Sequence, residues 1–140
     1  MIISVLGATG GCGQHFVRQA LEAGHVVRAL VRDPGKLDEG IRASENLTVV
    51  SGVNIFDADN LEKGFDGADV VVSCLGARPS LMPWGAEITL YSRSIEAVVE
   101  AMRRRSVGRI VAITSMFTDD DPSYGFFVRS EGAMKTDIQK

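Results

Sequence analysis

The chain has 140 residues, 45% of them hydrophobic and 24% charged, which is enough apolar content to bury one core and predicts a single domain over residues 1–140. A net charge of −3 supplies no basic surplus to neutralise a phosphate backbone, so no nucleic-acid partner is expected. The longest apolar runs fall short of the ~18 residues of a membrane span, and the first one breaks at Gly7, too early for a signal-peptide core, so the expectation is a cytoplasmic protein with no membrane partner.

Ile2 to Leu6 is an apolar run, the first predicted strand. Gly7-Ala8-Thr9-Gly10-Gly11-Cys12-Gly13 follows it directly, and the helical-looking segment Gln14 to Ala23 comes next. Glycine permits a tight turn and close backbone approach to phosphate oxygens, while the unpaired amides at a helix N-terminus attract negative charge. Gly7, Gly10 and Gly13, at spacing three between strand and helix, therefore read as a dinucleotide cradle that includes Thr9, Gly11 and Cys12. Two cysteines, Cys12 and Cys74, are too few for a disulfide framework or a zinc site, and no metal is expected.

After the stop Ala23-Gly24, the β-branched run Val26 to Val31 makes strand two and closes a βαβ unit, and Arg32-Asp33-Pro34-Gly35 ends it. Leu47 to Ser51 reads as strand three and Asp59 to Phe65 as a short helix before the turn Asp66-Gly67. Asp69 to Leu75 is apolar on both faces, as suits the centre of a parallel sheet. Gly76 to Gly85 is a loop long enough to suggest function. Ile88 to Arg105 carries Ile88, Ile95, Val98, Val99 and Met102 at a helical period, and Arg103-Arg104-Arg105 reads as its solvated last turn. Arg109 to Thr114 is strand five. Alternating strands and helices predict an α/β, Rossmann-like, doubly wound parallel sheet of strand order 3-2-1-4-5.

Ligands of such a sheet bind at the carboxyl ends of the strands. An NAD site places an acid after strand two, about twenty residues beyond the glycines; here Arg32 stands there, nineteen residues after Gly13, with Lys36 close by. A planar guanidinium suits a 2′-phosphate, which favours NADP(H), although Asp33 adjoins it. Asn54, past strand three, could bond adenine. Leu75, Gly76 and Arg78 would pass the nicotinamide ribose.

Many carbonyl reductases of this fold protonate their product with a Tyr-x-x-x-Lys pair. Tyr91 is followed by Ile95 and Tyr124 by Val128, so neither forms one, and His15 and His25 lie away from the strand ends. Thr114 and Ser115 remain, hydroxyls at the end of strand five. Such a site suits a small-molecule acceptor that takes hydride without a strong acid, such as a flavin, a quinone or a tetrapyrrole.

These residues resemble the atypical short-chain reductases, specifically their flavin and biliverdin reductase branch. The resemblance rests on Gly7-Ala8-Thr9-Gly10 with Gly13, Gln19-Ala20 with Ala23-Gly24, Leu30-Val31-Arg32-Asp33, Gly76-x-Arg78-x-x-Leu81-x-Pro83, Ala101-Met102, and Ser115-x-Phe117-x-x-x-Asp121-Pro122, over residues 1–122. It implies NADPH as hydride donor, the glycine turn and Arg32 as its anchors, Ser115 as the catalytic residue beside nicotinamide and substrate, and flavin-like or tetrapyrrole acceptors. The chain departs from the pattern at Asn54, where an aspartate is usual, in a longer segment between Pro83 and Ala101, and in the divergent tail 123–140, where family members continue into elements that wall the acceptor pocket. The expectation is an NADPH-dependent reductase or, alternatively, a non-catalytic nucleotide-binding module. With no sixth strand legible, self-association through strand five is expected.

Overall fold

The structure, a computed structural model, describes residues 1–76 and 90–113. The described elements are β1 (Ile2–Leu6), α1 (Gly11–Glu22), β2 (Val26–Leu30), α2 (Glu39–Arg42), β3 (Leu47–Val50), α3 (Ala58–Phe65), β4 (Val70–Ser73), α4 (Leu90–Arg104) and β5 (Ile110–Ala112). The five strands form one parallel sheet in the order β3-β2-β1-β4-β5, so the expected topology is realised.

The alternation along each strand sends successive side chains to opposite layers. Ile3, Val5, Val27, Ala29, Val70 and Val72 pack in one cluster with Val17 and Ala20 of α1 and with Leu37 and Ile41 around α2. Leu6, Leu30 and Val71 pack in a second cluster with Leu61 and Phe65 of α3 and Val98, Ala101 and Met102 of α4. The direction of winding thus reverses between β1 and β4. The buried Ser4 hydroxyl, on the second face, donates to the Gly64 carbonyl at 2.5 Å, which meets its bonding need inside the core.

Several boundaries shift. α1 starts at Gly11, three residues ahead of the segment the sequence suggests, because Gly10 takes the extended N-cap conformation (φ −77°, ψ 164°) and the chain coils immediately after it. β4 spans Val70–Ser73 rather than Asp69 to Leu75, yet its bonding to β1 continues at both ends, from the Asp69 amide to the Ile2 carbonyl and from the Cys74 amide to the Leu6 carbonyl, both at 2.9 Å. On α4 the buried seam runs through Ser94, Val98, Ala101 and Met102 and leaves Ile95 exposed. Ser94 is tolerated inside because its hydroxyl donates to the Tyr91 carbonyl at 3.2 Å. Arg104 and Arg105 are not merely solvated. Arg104 contacts Asp59, Glu62 and Glu100, and Arg105 contacts Glu62 and Asp66, so the two clasp α4 onto α3.

Within the described residues β5 pairs with β4 alone, and Val111 and Ile113 are 47% and 48% exposed on the same face. Val111 is in register with Val72, on the side of the sheet that α1 covers farther in. An apolar face of this kind promotes association. Val111→Lys is expected to move the purified chain towards the monomer in sedimentation velocity. A parent chain that is monomeric across the accessible concentrations overturns this expectation.

Candidate functional site

The cradle lies at the carboxyl ends of β1 and β4, where the winding reverses. Two of its glycines are required by the protein itself. Gly7 has φ +73°, and a Cβ there would come within 2.6 Å of the Cys74 carbonyl oxygen, so only glycine lets the turn lie this close to β4. A Cβ on Gly13 would meet the Gly7 carbonyl oxygen at 2.1 Å, and its absence allows α1 to sit against the end of β1. Gly10 and Gly11 differ. A Cβ on Gly10 would find only the Gly7 oxygen, at 3.4 Å, and one on Gly11 would find nothing within 4 Å. Packing among the described residues does not require glycine at those two positions.

The electrostatics suit an anion. No side chain caps α1 and its first turn holds no acidic residue, so the amides that a helix leaves unsatisfied and the positive end of its dipole face the turn unopposed. The Gly10 amide is spent on the Gly7 carbonyl at 3.0 Å and the Gln14 amide on the Gly10 carbonyl at 2.9 Å. The amides of Gly11, Cys12 and Gly13 lie between these two and form the donor set that fits a diphosphate. Cys12, the second residue of α1, is exposed. Buried Cys74 stands at the end of β4, where burial foremost, and then the nearness of Cys12, push its thiol up from the ordinary value, so it stays protonated and unreactive at neutral pH.

Beyond β2 the chain passes Arg32 and enters a single 3-10 turn, Pro34–Lys36. Asp33, the acid that adjoins Arg32, is drawn into this turn: its Oδ1 accepts from the Gly35 amide at 2.9 Å. Arg32 and Lys36 are exposed and form no ion pair with any described residue. Among the described residues, the loop thus presents two cations without an ion-pair partner and holds its carboxylate in a cap.

Asn54 also serves the backbone. Its Oδ1 accepts from the Phe56 amide at 3.1 Å and its own amide donates to Asn60 Oδ1 at 3.0 Å. The side-chain amino group of Asn54 is then the part open to a ligand. Leu75 is half-buried beside Gly7, and a Cβ on Gly76 would meet no described atom within 4 Å. Arg78, Thr114 and Ser115, with Phe117 and Tyr124, lie outside the described residues. The structure therefore brings Gly7, Thr9, Gly10, Gly11, Cys12 and Gly13 together with Leu75 and Gly76 at the reversal point, with Arg32, Lys36 and Asn54 on the loops after the neighbouring strands.

Gln14 is not among the residues that the sequence singles out for this region. From the first turns of α1 its Nε2 donates to the Thr9 carbonyl at 3.2 Å, while its Oε1 accepts from the Asp38 amide at 3.1 Å. One turn later Arg18 reaches Asp38 Oδ1 at 3.6 Å. An amide side chain right after the last cradle glycine is a weak signal, and its partner lies 24 residues away.

Residues 7–139 match a family described as NAD(P)H-binding. An isoflavone reductase homolog from Zea mays is 33% identical over 105 residues, which span 71% of this chain and 31% of the maize protein; the chain thus corresponds to under a third of that relative. Among solved structures, the oxidoreductase ylbE from Lactococcus lactis superposes with a TM-score of 0.76 at 13% identity, over 99% of this chain and 60% of that one. A short-chain dehydrogenase/reductase from Veillonella parvula, solved in complex with NADP, gives a TM-score of 0.65 at 21% identity, over 82% of this chain and 48% of that one. At these identities the structural likeness concerns the fold.

Proposed function

The chain belongs to the NAD(P)H-binding family, and from that premise we propose that it serves an NADPH-dependent reductase of the flavin and biliverdin type, acting on a small planar acceptor in the cytoplasm. The observation that carries the choice of NADPH is the loop after β2, where Arg32 and Lys36 form no ion pair with a described residue and Asp33 is engaged with Gly35. A ribose 2′-hydroxyl needs an acceptor at this point, and a 2′-phosphate needs cations.

NADPH when bound supplies a hydride. The chain's own residues hold and orient. The amides of Gly11, Cys12 and Gly13 would take the diphosphate, Arg32 and Lys36 the 2′-phosphate, and Gly76 would leave room for the nicotinamide half beside β4. Arg78 and Thr114 are proposed to serve the nicotinamide half of the cofactor, and the Ser115 hydroxyl to orient the acceptor. A flavin-like or tetrapyrrole acceptor delocalises the incoming electron pair, so the protein need not contribute a strong acid. Ser115→Ala is accordingly expected to lower turnover about tenfold or less, and Tyr124→Phe to change it little, in steady-state assays of NADPH consumption. Loss of all activity in the tyrosine variant would identify a proton donor that this reading lacks.

A second reading, a nucleotide-binding module without turnover, is favoured by one observation: the described groups of the site, the first amides of α1 and the cations after β2, suit the nucleotide. NADPH consumption with flavin mononucleotide, run beside a fluorescence titration of NADPH, separates the two. Consumption at enzyme rates supports the reductase; binding without consumption selects the module.

A further inference from the structure

We infer that Gln14 is a positioning residue for cofactor choice, holding the loop that carries Arg32 and Lys36 at a fixed distance from the diphosphate cradle. The inference rests on the NADPH reading above and extends it to a residue outside the cradle, whose side chain bonds only the protein backbone among the described residues. Its geometry is a two-ended clamp: the Gln14 side chain donates to Thr9, inside the glycine turn, and accepts from the amide of Asp38, at the end of the loop after β2.

The rest of the loop explains why a clamp matters. Leu37 is buried at 2% exposure and fixes the loop's depth in the core, and its amide bonds the Pro34 carbonyl at 3.1 Å. Between Val31 and Leu37 the other bonds are local to the turn, from the Gly35 amide to Asp33 Oδ1 and from the Lys36 amide to the Asp33 carbonyl at 3.3 Å. Such bonds shape the turn but do not place it relative to α1. Leu37 shares a core cluster with Val17 and Ala20 of α1, and the directional placement is added at Asp38, where Gln14 holds the amide, Arg18 faces the carboxylate and that carboxylate caps α2 by accepting from the Ile41 amide at 3.3 Å. Gln14 and Arg18 are four residues apart, on one face of α1. The diphosphate and 2′-phosphate of NADPH are joined through one adenosine, so their binding groups must keep a matching separation. A ligand without the 2′-phosphate makes no such demand.

Gln14→Met, which keeps the side chain's length and helical preference while removing both bonds, tests this. Fluorescence titrations of NADPH and NADH with the full chain should show NADPH affinity falling about five- to tenfold and NADH affinity falling about twofold or less, from the loss of roughly one neutral hydrogen bond's worth of placement. Asp38→Asn, which keeps the amide and the capping oxygen but not the charge, should retain the preference. If the unmutated chain prefers NADPH and Gln14→Met keeps that preference, or loses affinity for both nucleotides by the same factor, the positioning role is overturned while the cofactor reading stands. If the unmutated chain binds both nucleotides equally, the cofactor reading itself falls and takes the positioning role with it.

Discussion

Gly13→Ala is expected to cost the protein about 3 kcal/mol or more and to abolish nucleotide binding along with it, because the new methyl group would have to sit 2.1 Å from the Gly7 carbonyl oxygen and 2.9 Å from Ala8 Cα. Neither neighbour is a side-chain tip that can swing aside. Relief requires α1 to withdraw from the end of β1, and Val17 and Ala20 move with it out of the first core cluster. Gly10→Ala provides the contrast. Its added methyl has one contact at 3.4 Å and its backbone conformation suits alanine, so thermal unfolding should change by less than about 1 kcal/mol while NADPH affinity drops. Circular dichroism melts beside NADPH titrations for the two variants make the comparison. A Gly13→Ala chain with the parent's melting temperature would show that helix and strand are not as closely apposed as the structure has them.

The other large effect falls on cofactor choice. NADPH is expected to bind more tightly than NADH, and Arg32→Ala to remove most of the difference, roughly 1.5 to 3 kcal/mol or about 10- to 150-fold for charge-assisted bonds. Lys36 would keep the remainder. NADH affinity should stay near the parent value, since the guanidinium is exposed and holds no described neighbour in place. The difference should shrink as salt is raised, because both cations sit in solvent. Equal NADPH and NADH affinities in the parent, or an Arg32→Ala variant with an undiminished gap, would assign the preference elsewhere.

What could be read from the sequence was what depends on neighbours along the chain. Ile2 to Leu6 followed by glycines and then Gln14 to Ala23 announces a strand, a turn and a helix; β1 is as expected, and α1 starts at Gly11 and ends at Glu22. The sheet order follows from alternation and handedness rather than from any one residue. The glycine pattern marked a cradle but could not separate Gly7 and Gly13, which packing demands, from Gly10 and Gly11, which it does not; that division requires the positions of the Gly7 and Cys74 carbonyls. Contacts between distant segments were opaque. Nothing local to Gln14 points to Asp38, nothing in Arg103-Arg104-Arg105 points to Glu62, and the four-residue α2 is too short to show a period. Ile95 misled for a related reason: apolar character suggested the core, yet Ser94 occupies the seam because its hydroxyl has a carbonyl to bond.

The layered parity of β1 bears on how this protein opens. Alternate residues of that strand belong to different cores, Ile3 and Val5 to one and Leu6 to the other, and the strand has a hydrogen-bonded neighbour on each side. The helices of either layer could loosen with the opposite layer intact, but β1 cannot come free unless both layers and two ladders give way together. Its amide protons are therefore among the last to exchange with solvent, and they exchange through the global transition rather than by fraying. A dinucleotide held at the end of that strand consequently stabilises the whole cooperative unit, by about 2.7 kcal/mol when present at a hundred times its dissociation constant, and its protection reaches strands that it never touches.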